Sequence, residues 1–226
     1  MSRTAPPGTS AIALLGIRLR AAREERGIGV RELARRVECS GSLISQIERG
    51  RANPSVSTLY AISTALGLSL DDLFSDMPIP GSSPVIGGTA APAVLAEATH
   101  PRVILRPPER RVIELQCGVR WQLLMPSPDP LVEFLEVFYA PGGESSAADH
   151  AIRHHGREYS LVLAGCLSVS IGHEHYVLRP GDSLAFDSMV SHRFWNAGIA
   201  PVRAVWFVAA RPPMVDGRDP TGPRVG

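Results

Sequence analysis

The stretch HAIRHHGREYSLVLAG, residues 150–165, sets three histidines and a glutamate immediately ahead of an apolar run. Imidazole nitrogens and carboxylate oxygens are the donors that zinc, manganese, nickel and iron accept, so the chemistry on offer is that of a divalent metal site. His154 precedes Glu158 by four residues, and a further histidine, His192, follows in SHRFWN. Alternate residues of an extended chain share a face. His150, Ile152 and His154 are therefore in phase, and His155 points away. His150 is a reserve ligand or a residue at the mouth of a barrel. His173 and His175 flank the turn in IGHEHY and read as solvated hairpin residues.

The elements that must hold these side chains are strands. Beyond residue 99 the chain breaks into short β-branched and aromatic segments separated by turn signals: RVILRP, RRVIEL, VRWQLLMP, VEFLEVFYAPGG, EYSLVLAG, CLSVSIG, HYVLRPGD, SLAFDS, HRFWNAG and VRAVWFVAAR. About ten strands at roughly 8 to 12 residue spacing predict an antiparallel sandwich or barrel of the jelly-roll kind. An apolar cavity with a few convergent polar groups is the usual small-molecule site. Phe134, Tyr159, Phe186, Phe194 and Trp195, some of them inward and some outward, are its expected lining, together with Asn196.

The first third of the chain has a different period. Ile12, Leu15, Leu19 and Ala22 fall on one helical stripe, with Gly27 placed to stop it. A second short helix carries Leu33, Ala34 and Val37, and Ser40 is a natural N-cap for a third that ends at Gly50. In that third helix Leu43, Ile44 and Ile47 form the buried face, which leaves Gly41, Ser42, Ser45, Gln46 and Arg49 outward. A fourth helix uses Leu59, Ile62 and Leu66, and Ser69-Leu70-Asp71-Asp72 resembles a capping box opening a fifth. Two short helices joined by a tight turn, the second small and polar outside, suit a major groove about 12 Å wide.

Charge follows the same division. Residues 11–60 hold nine arginines against five acids, whereas residues 78–226 hold thirteen against fourteen. The chain has no lysine, so every fixed positive charge is a planar, bidentate guanidinium, suited to phosphate or base edges. All seven histidines lie beyond residue 99. Between the halves, MPIPGSSPVIGGTAAPA has neither period and reads as a linker. The expected organisation is a helix-turn-helix domain over 11–76, a linker over 77–98, a barrel over 99–212 and a tail over 213–226.

No run of about 18 apolar residues occurs and MSRTAPPGTS lacks the pattern of a secretory signal, so the expected location is the cytoplasm, with no membrane partner. Cys39, Cys117 and Cys166 are an odd count without C-x-x-C spacing, which fits neither a disulfide framework nor a cysteine zinc site. They are expected to be small buried hydrophobes.

RLRAAREERG, VRELARRV, SGSLISQIERGRANPS and LYAISTALG resemble, in order and spacing, the phage-repressor-like, xenobiotic-response-element type of helix-turn-helix domain over residues 12–74. That resemblance implies that Ser42, Ser45 and Gln46 face base edges, that Ser40, Arg49 and Arg51 face phosphates, and that Glu48 pairs with Arg23. Val30 departs from the pattern, standing where a glutamine often opens the second helix.

APGG, REYSLVLAG, YVLRPGDSLAFDS and HRFWNAG resemble the cupin family over about residues 100–210. Glu158 lies seven residues before Gly165, and His192 and Asn196 end the second motif as H-x3-N. Ile152 stands in the place of the first ligand histidine, and Asp187 and Met189 replace a proline and a glycine. The metal set implied is therefore His154, Glu158 and His192, open to zinc, manganese, nickel or iron.

Together the two halves resemble bacterial transcriptional regulators with an N-terminal helix-turn-helix domain and a C-terminal cupin, an α+β two-domain chain with a five-helix bundle and an all-β jelly-roll barrel. The resemblance implies an operator in double-stranded DNA, a small-molecule effector in the barrel and a homodimer. Two expectations compete: an enzyme, since iron-dependent oxygenases of the hydroxypropylphosphonate epoxidase kind join a repressor-like domain to a cupin bearing the same three ligands, and a barrel that serves only as a dimerisation block, with a filled cavity and no ligand effect.

Overall fold

The computed structural model describes residues 11–74, 77, 103–129, 131–148 and 150–209. The expected linker, apart from Met77, and the expected tail lie outside the described residues.

Among the described residues five helices come first: α1 (Ala11–Glu25), α2 (Val30–Arg36), α3 (Gly41–Glu48), α4 (Val56–Leu66) and α5 (Leu70–Phe74). Their apolar stripes meet in one core of Leu15, Leu19, Leu33, Ile44, Ile47, Leu59, Ile62 and Leu66, all close to fully buried. Gly27, at φ +64°, ends α1 in the left-handed region that glycine enters without strain. Gly16 serves packing instead. A Cβ there would stand 2.3 Å from the Ile47 carbonyl oxygen, so α1 and α3 cross at a distance only glycine permits. Ser40 caps α3 by accepting the Leu43 N–H at 3.1 Å, and Ser69 and Asp72 exchange the two bonds of a capping box before α5.

A 3-10 turn at Pro107–Glu109 leads, among the described residues, into nine strands: β1 (Val112–Glu114), β2 (Val119–Leu123), β3 (Val132–Tyr139), β4 (Arg157–Ala164), β5 (Leu167–Ile171), β6 (Glu174–Leu178), β7 (Ser183–Asp187), β8 (His192–Trp195) and β9 (Val202–Ala209). The segment RVILRP forms no strand within its described part, and the other nine expected strands are present. They pair antiparallel as a six-stranded sheet, β1-β2-β3-β9-β4-β7, and a three-stranded one, β6-β5-β8. The fold is thus a helical bundle followed by a jelly-roll barrel. Among the described residues no helix is long and apolar enough to cross a membrane.

The period-2 alternation decides what enters the barrel. On β4, Glu158, Ser160 and Val162 are buried while Arg157, Tyr159, Leu161 and Leu163 face out; on β9, Val202, Ala204, Trp206 and Val208 are buried. The cysteines correct an expectation. Cys117 and Cys166 are exposed and Cys39 is half-buried, because each sits in or beside a turn rather than on an inward strand position.

Candidate functional site

The outer face of α3 is built by what its inner face must do. Ile44 and Ile47 are almost wholly buried, and an amphipathic helix of eight residues then has its opposite stripe in solvent. Ser42, Gln46 and Arg49 are exposed, Gly41 and Ser45 half-buried, and Arg51 exposed just beyond the helix. The Gln46 amide rests against Ser42 Oγ at 3.4 Å, a contact that a base edge can replace. Ser40 is exposed and its hydroxyl oxygen is engaged in the cap.

Beneath this surface the Arg23 guanidinium donates twice to the Glu48 carboxylate, at 2.6 and 2.9 Å, and once to the Ile28 carbonyl at 2.8 Å. Both side chains are buried. This pair clamps α1 to the end of α3 and fixes the angle at which α3 stands. At Val30 no polar group closes α2, whose N-cap, Gly29, offers no side chain.

The barrel brings His154, Glu158 and His192 together, each buried, with their ligating atoms all within 4.8 Å of one another. Glu158 comes from β4, His192 from the start of β8, and His154 from the segment between Ile152 and β4. Two backbone bonds between Ile152 and His192, at 2.8 and 3.0 Å, fasten that segment to β8 and set the two imidazoles side by side. Each histidine has its Nδ1 against a backbone carbonyl, His154 on His155 at 3.2 Å and His192 on Val190 at 2.8 Å. That arrangement turns both Nε2 atoms inward, the orientation a metal ligand needs. Trp206 donates its indole N–H to Glu158 Oε2 at 2.6 Å. Oε1 lies 2.8 Å from His154 Nε2 and 3.2 Å from His192 Nε2, buried and without a bond of hydrogen-bond geometry.

Burial alone would raise the Glu158 carboxyl, but the two imidazoles outweigh it and hold the group down at about 2. Burial pushes His154 down, and the adjacent Glu158 carboxylate pulls it above its ordinary value. The centre is therefore an anionic carboxylate between two imidazoles, one oxygen unspent. A divalent cation fits this donor set, and Ile152 supplies apolar wall where a fourth protein ligand would stand.

The cleft over the centre is lined by Leu135, Val137, Tyr139, Trp121, Phe194 and Trp206 of the barrel, and by Val56 and Tyr60 of α4. Of the six expected residues, of which some were to face outward, Phe194 lines the cleft and Phe134, Tyr159, Phe186, Trp195 and Asn196 do not. Phe134 and Tyr159 lie on the outer face of the large sheet, packed edge-on against Phe207 at 6.3 and 6.0 Å, because their strand phase is opposite to that of Leu135 and Glu158. Phe186 is buried behind the centre, 4.9 Å from the His192 ring. Asn196 is a structural lock: its amide donates to the carbonyls of Tyr139, Ala140 and Ala200 at 3.1, 3.2 and 2.8 Å, and its oxygen accepts Gly198 N–H. His150, His155, His173 and His175 are exposed.

Sequence reasoning missed Trp206 and Tyr60. The alternation Val202, Ala204, Trp206 carried the signal for the first, since Trp206 shares the inward phase. Tyr60 stands beside the apolar stripe of α4 rather than on it, and only the docking of the two domains gives it a role.

Fold and site together define a two-domain protein, a DNA-binding helical bundle joined to a barrel with a candidate metal centre. Residues 14–74 match the helix-turn-helix domain family and residues 135–208 the cupin domain family. The chain is 28% identical to the HTH-type transcriptional regulator PuuR of Escherichia coli K12 over 191 residues, 83% of this chain and 91% of that one. It is 23% identical to the regulator SutR of the same organism, covering 81% and 88%. A crystal structure of an HTH_3 family transcriptional regulator from Vibrio cholerae superposes with a TM-score of 0.58 at 21% identity, covering 87% and 95%, and shares the fold. The chain is homologous to HTH-type transcriptional regulators with a cupin domain.

Proposed function

We propose that this chain binds operator DNA in the cytoplasm as a homodimer and that its barrel senses a small molecule at a metal centre held by His154, Glu158 and His192. The observation that carries the DNA assignment is α3, whose exposed stripe is polar and narrow while Ile44 and Ile47 anchor it. Gln46 is the base-reading residue, since a glutamine amide pairs bidentately with adenine, and Arg49 and Arg51 take phosphates. Ser42 and Ser45 are small enough to let the helix approach the bases.

One such domain makes few contacts, and specific binding needs two α3 helices about 34 Å apart, in successive major grooves. The outer face of the large sheet supports pairing with a second copy. Phe134, Phe207 and Tyr159 form an aromatic row across three adjacent strands, continued by exposed Leu161 and Leu163. An apolar patch of this kind, on a face that alternation leaves outside, marks an association surface.

A bound divalent cation would supply an open coordination position for an oxygen or nitrogen of the effector. Trp206 orients Glu158, the backbone carbonyls orient the histidines, and the aromatic walls exclude water. We assign this centre to sensing rather than catalysis because homology to regulators spans most of the chain. Footprinting on duplexes selected from random sequence tests the reading: protected palindromic half-sites are expected. Oxygen consumption by the iron(II)-loaded protein, with no duplex selected, would instead establish an enzyme.

A further inference from the structure

Tyr60 lies on α4, in the DNA-binding domain, yet its ring is in the barrel. It stacks on His154 with centroids 4.4 Å apart and planes 4° from parallel, and meets Trp121 edge-on at 5.5 Å. Its hydroxyl donates to Glu133 Oε2 at 3.4 Å. The approach is held by backbone as well: Ser57 N–H donates to the Ser145 carbonyl at 3.2 Å, and Gln116 N–H to the Pro54 carbonyl at 2.9 Å. Val56, one turn before Tyr60, also lines the cleft. With Tyr60 in place the free space above the centre is about 20 Å³, room for one water-sized particle and far below the several hundred Å³ of a pocket for an organic ligand.

We infer that the DNA-binding domain completes the effector site, with Tyr60 as its lid: an organic effector over His154 must take the place of the Tyr60 ring and so lift α4 from the barrel mouth. This rests on the regulator reading above. The same helix contributes Leu59, Ile62 and Leu66 to the core on which α3 is mounted, so lifting α4 moves the whole reading head. In the docked state α3 is exposed and its position is set by the barrel. In the lifted state the two heads of a dimer lose their fixed spacing, and operator affinity falls.

The test uses the full chain carrying Trp195→Phe, so that emission comes from Trp121 and Trp206, both in the cleft wall. Acrylamide is the probe. Tyr60→Ala is expected to raise the quenching constant about three-fold or more with helical circular dichroism unchanged, whereas Tyr60→Phe, which keeps the stacked ring, stays at the parent value. On a duplex selected from random sequence by the parent protein, Tyr60→Ala is expected to bind about five-fold or more weakly, and Tyr60→Phe normally. Should Tyr60→Ala fail to fold, Tyr60→Leu keeps apolar bulk on α4 while removing the aromatic plate. Unchanged quenching in the variant without the ring overturns the lid. Raised quenching with unchanged DNA binding overturns the coupling. A parent protein that selects no duplex overturns the regulator reading and the coupling with it, while the quenching alone still decides the lid.

Discussion

Trp206 and Glu158 are joined by one hydrogen bond, indole N–H to Oε2 at 2.6 Å, and it fixes which carboxylate oxygen faces the histidines. Without that bond the carboxylate can rotate and Oε1 loses its place between His154 and His192. Groups that orient metal ligands typically govern 10 to 100-fold in affinity. Trp206→Phe is therefore expected to weaken zinc binding by about that factor in competition titrations, and His154→Ala to weaken it far more. Equal zinc affinity in parent and Trp206→Phe would remove the orienting role.

Base reading and phosphate contact leave different signatures. Gln46→Ala is expected to relax preference at one position of each half-site at little cost to non-specific binding. Arg49→Ala should weaken all sequences and flatten the slope of log affinity against log salt by about 0.9 per domain. Binding isotherms at several salt concentrations on matched and mismatched duplexes separate the two.

The histidine–carboxylate centre makes stability depend on pH in the metal-free protein. Glu158 is held at about 2, below its ordinary 4.5, so its contribution is present above 4.5 and is lost as pH falls toward 2. His154 is raised above its ordinary 6.5, so its contribution is present below 6.5 and is lost as pH rises through the raised value. The difference in urea midpoint between the parent and Glu158→Gln should thus be largest between pH 4.5 and 6.5 and narrow on both sides. A difference that is flat from pH 3 to 9 would show the centre to be uncoupled from folding.

Glu48→Ala leaves the buried Arg23 guanidinium with the Ile28 carbonyl and a longer, 3.6 Å contact to the exposed Glu24 carboxylate. Breaking a buried pair by removing one partner costs about 3 to 5 kcal/mol. The helical domain should melt well below the barrel in this variant, as seen by calorimetry, with zinc affinity unchanged.

Asn196→Ala tests a structural assignment. Three carbonyls, the buried one of Tyr139 among them, lose a donor, which should destabilise the barrel by about 1 to 3 kcal/mol in urea unfolding. Asn196 touches none of His154, Glu158 and His192, so the metal affinity measured on folded protein should change little.

Residues 11–74 were legible because helix contacts are local. The stripe of α1, the Ser40 cap, the stop at Gly27 and the polar face of α3 all depend on residues within a few positions of one another. The three donors were legible as a spacing, His154 to Glu158, and as a motif at His192. The lining of the barrel was not. Phe134 and Tyr159 are as aromatic as Phe194, and a shift of one residue in strand phase decides whether such a ring faces the cleft or solvent.

The sequence by itself determined the two periods, the separation of arginine from histidine chemistry, and the polar outer face of α3, because each follows from residue type and near-neighbour spacing. Tertiary structure decided that Trp206 orients Glu158 and that Tyr60 closes the cleft above His154. Those contacts join residues 48 and 94 positions apart, and only the closing of the barrel and the docking of α4 on its mouth bring them within reach.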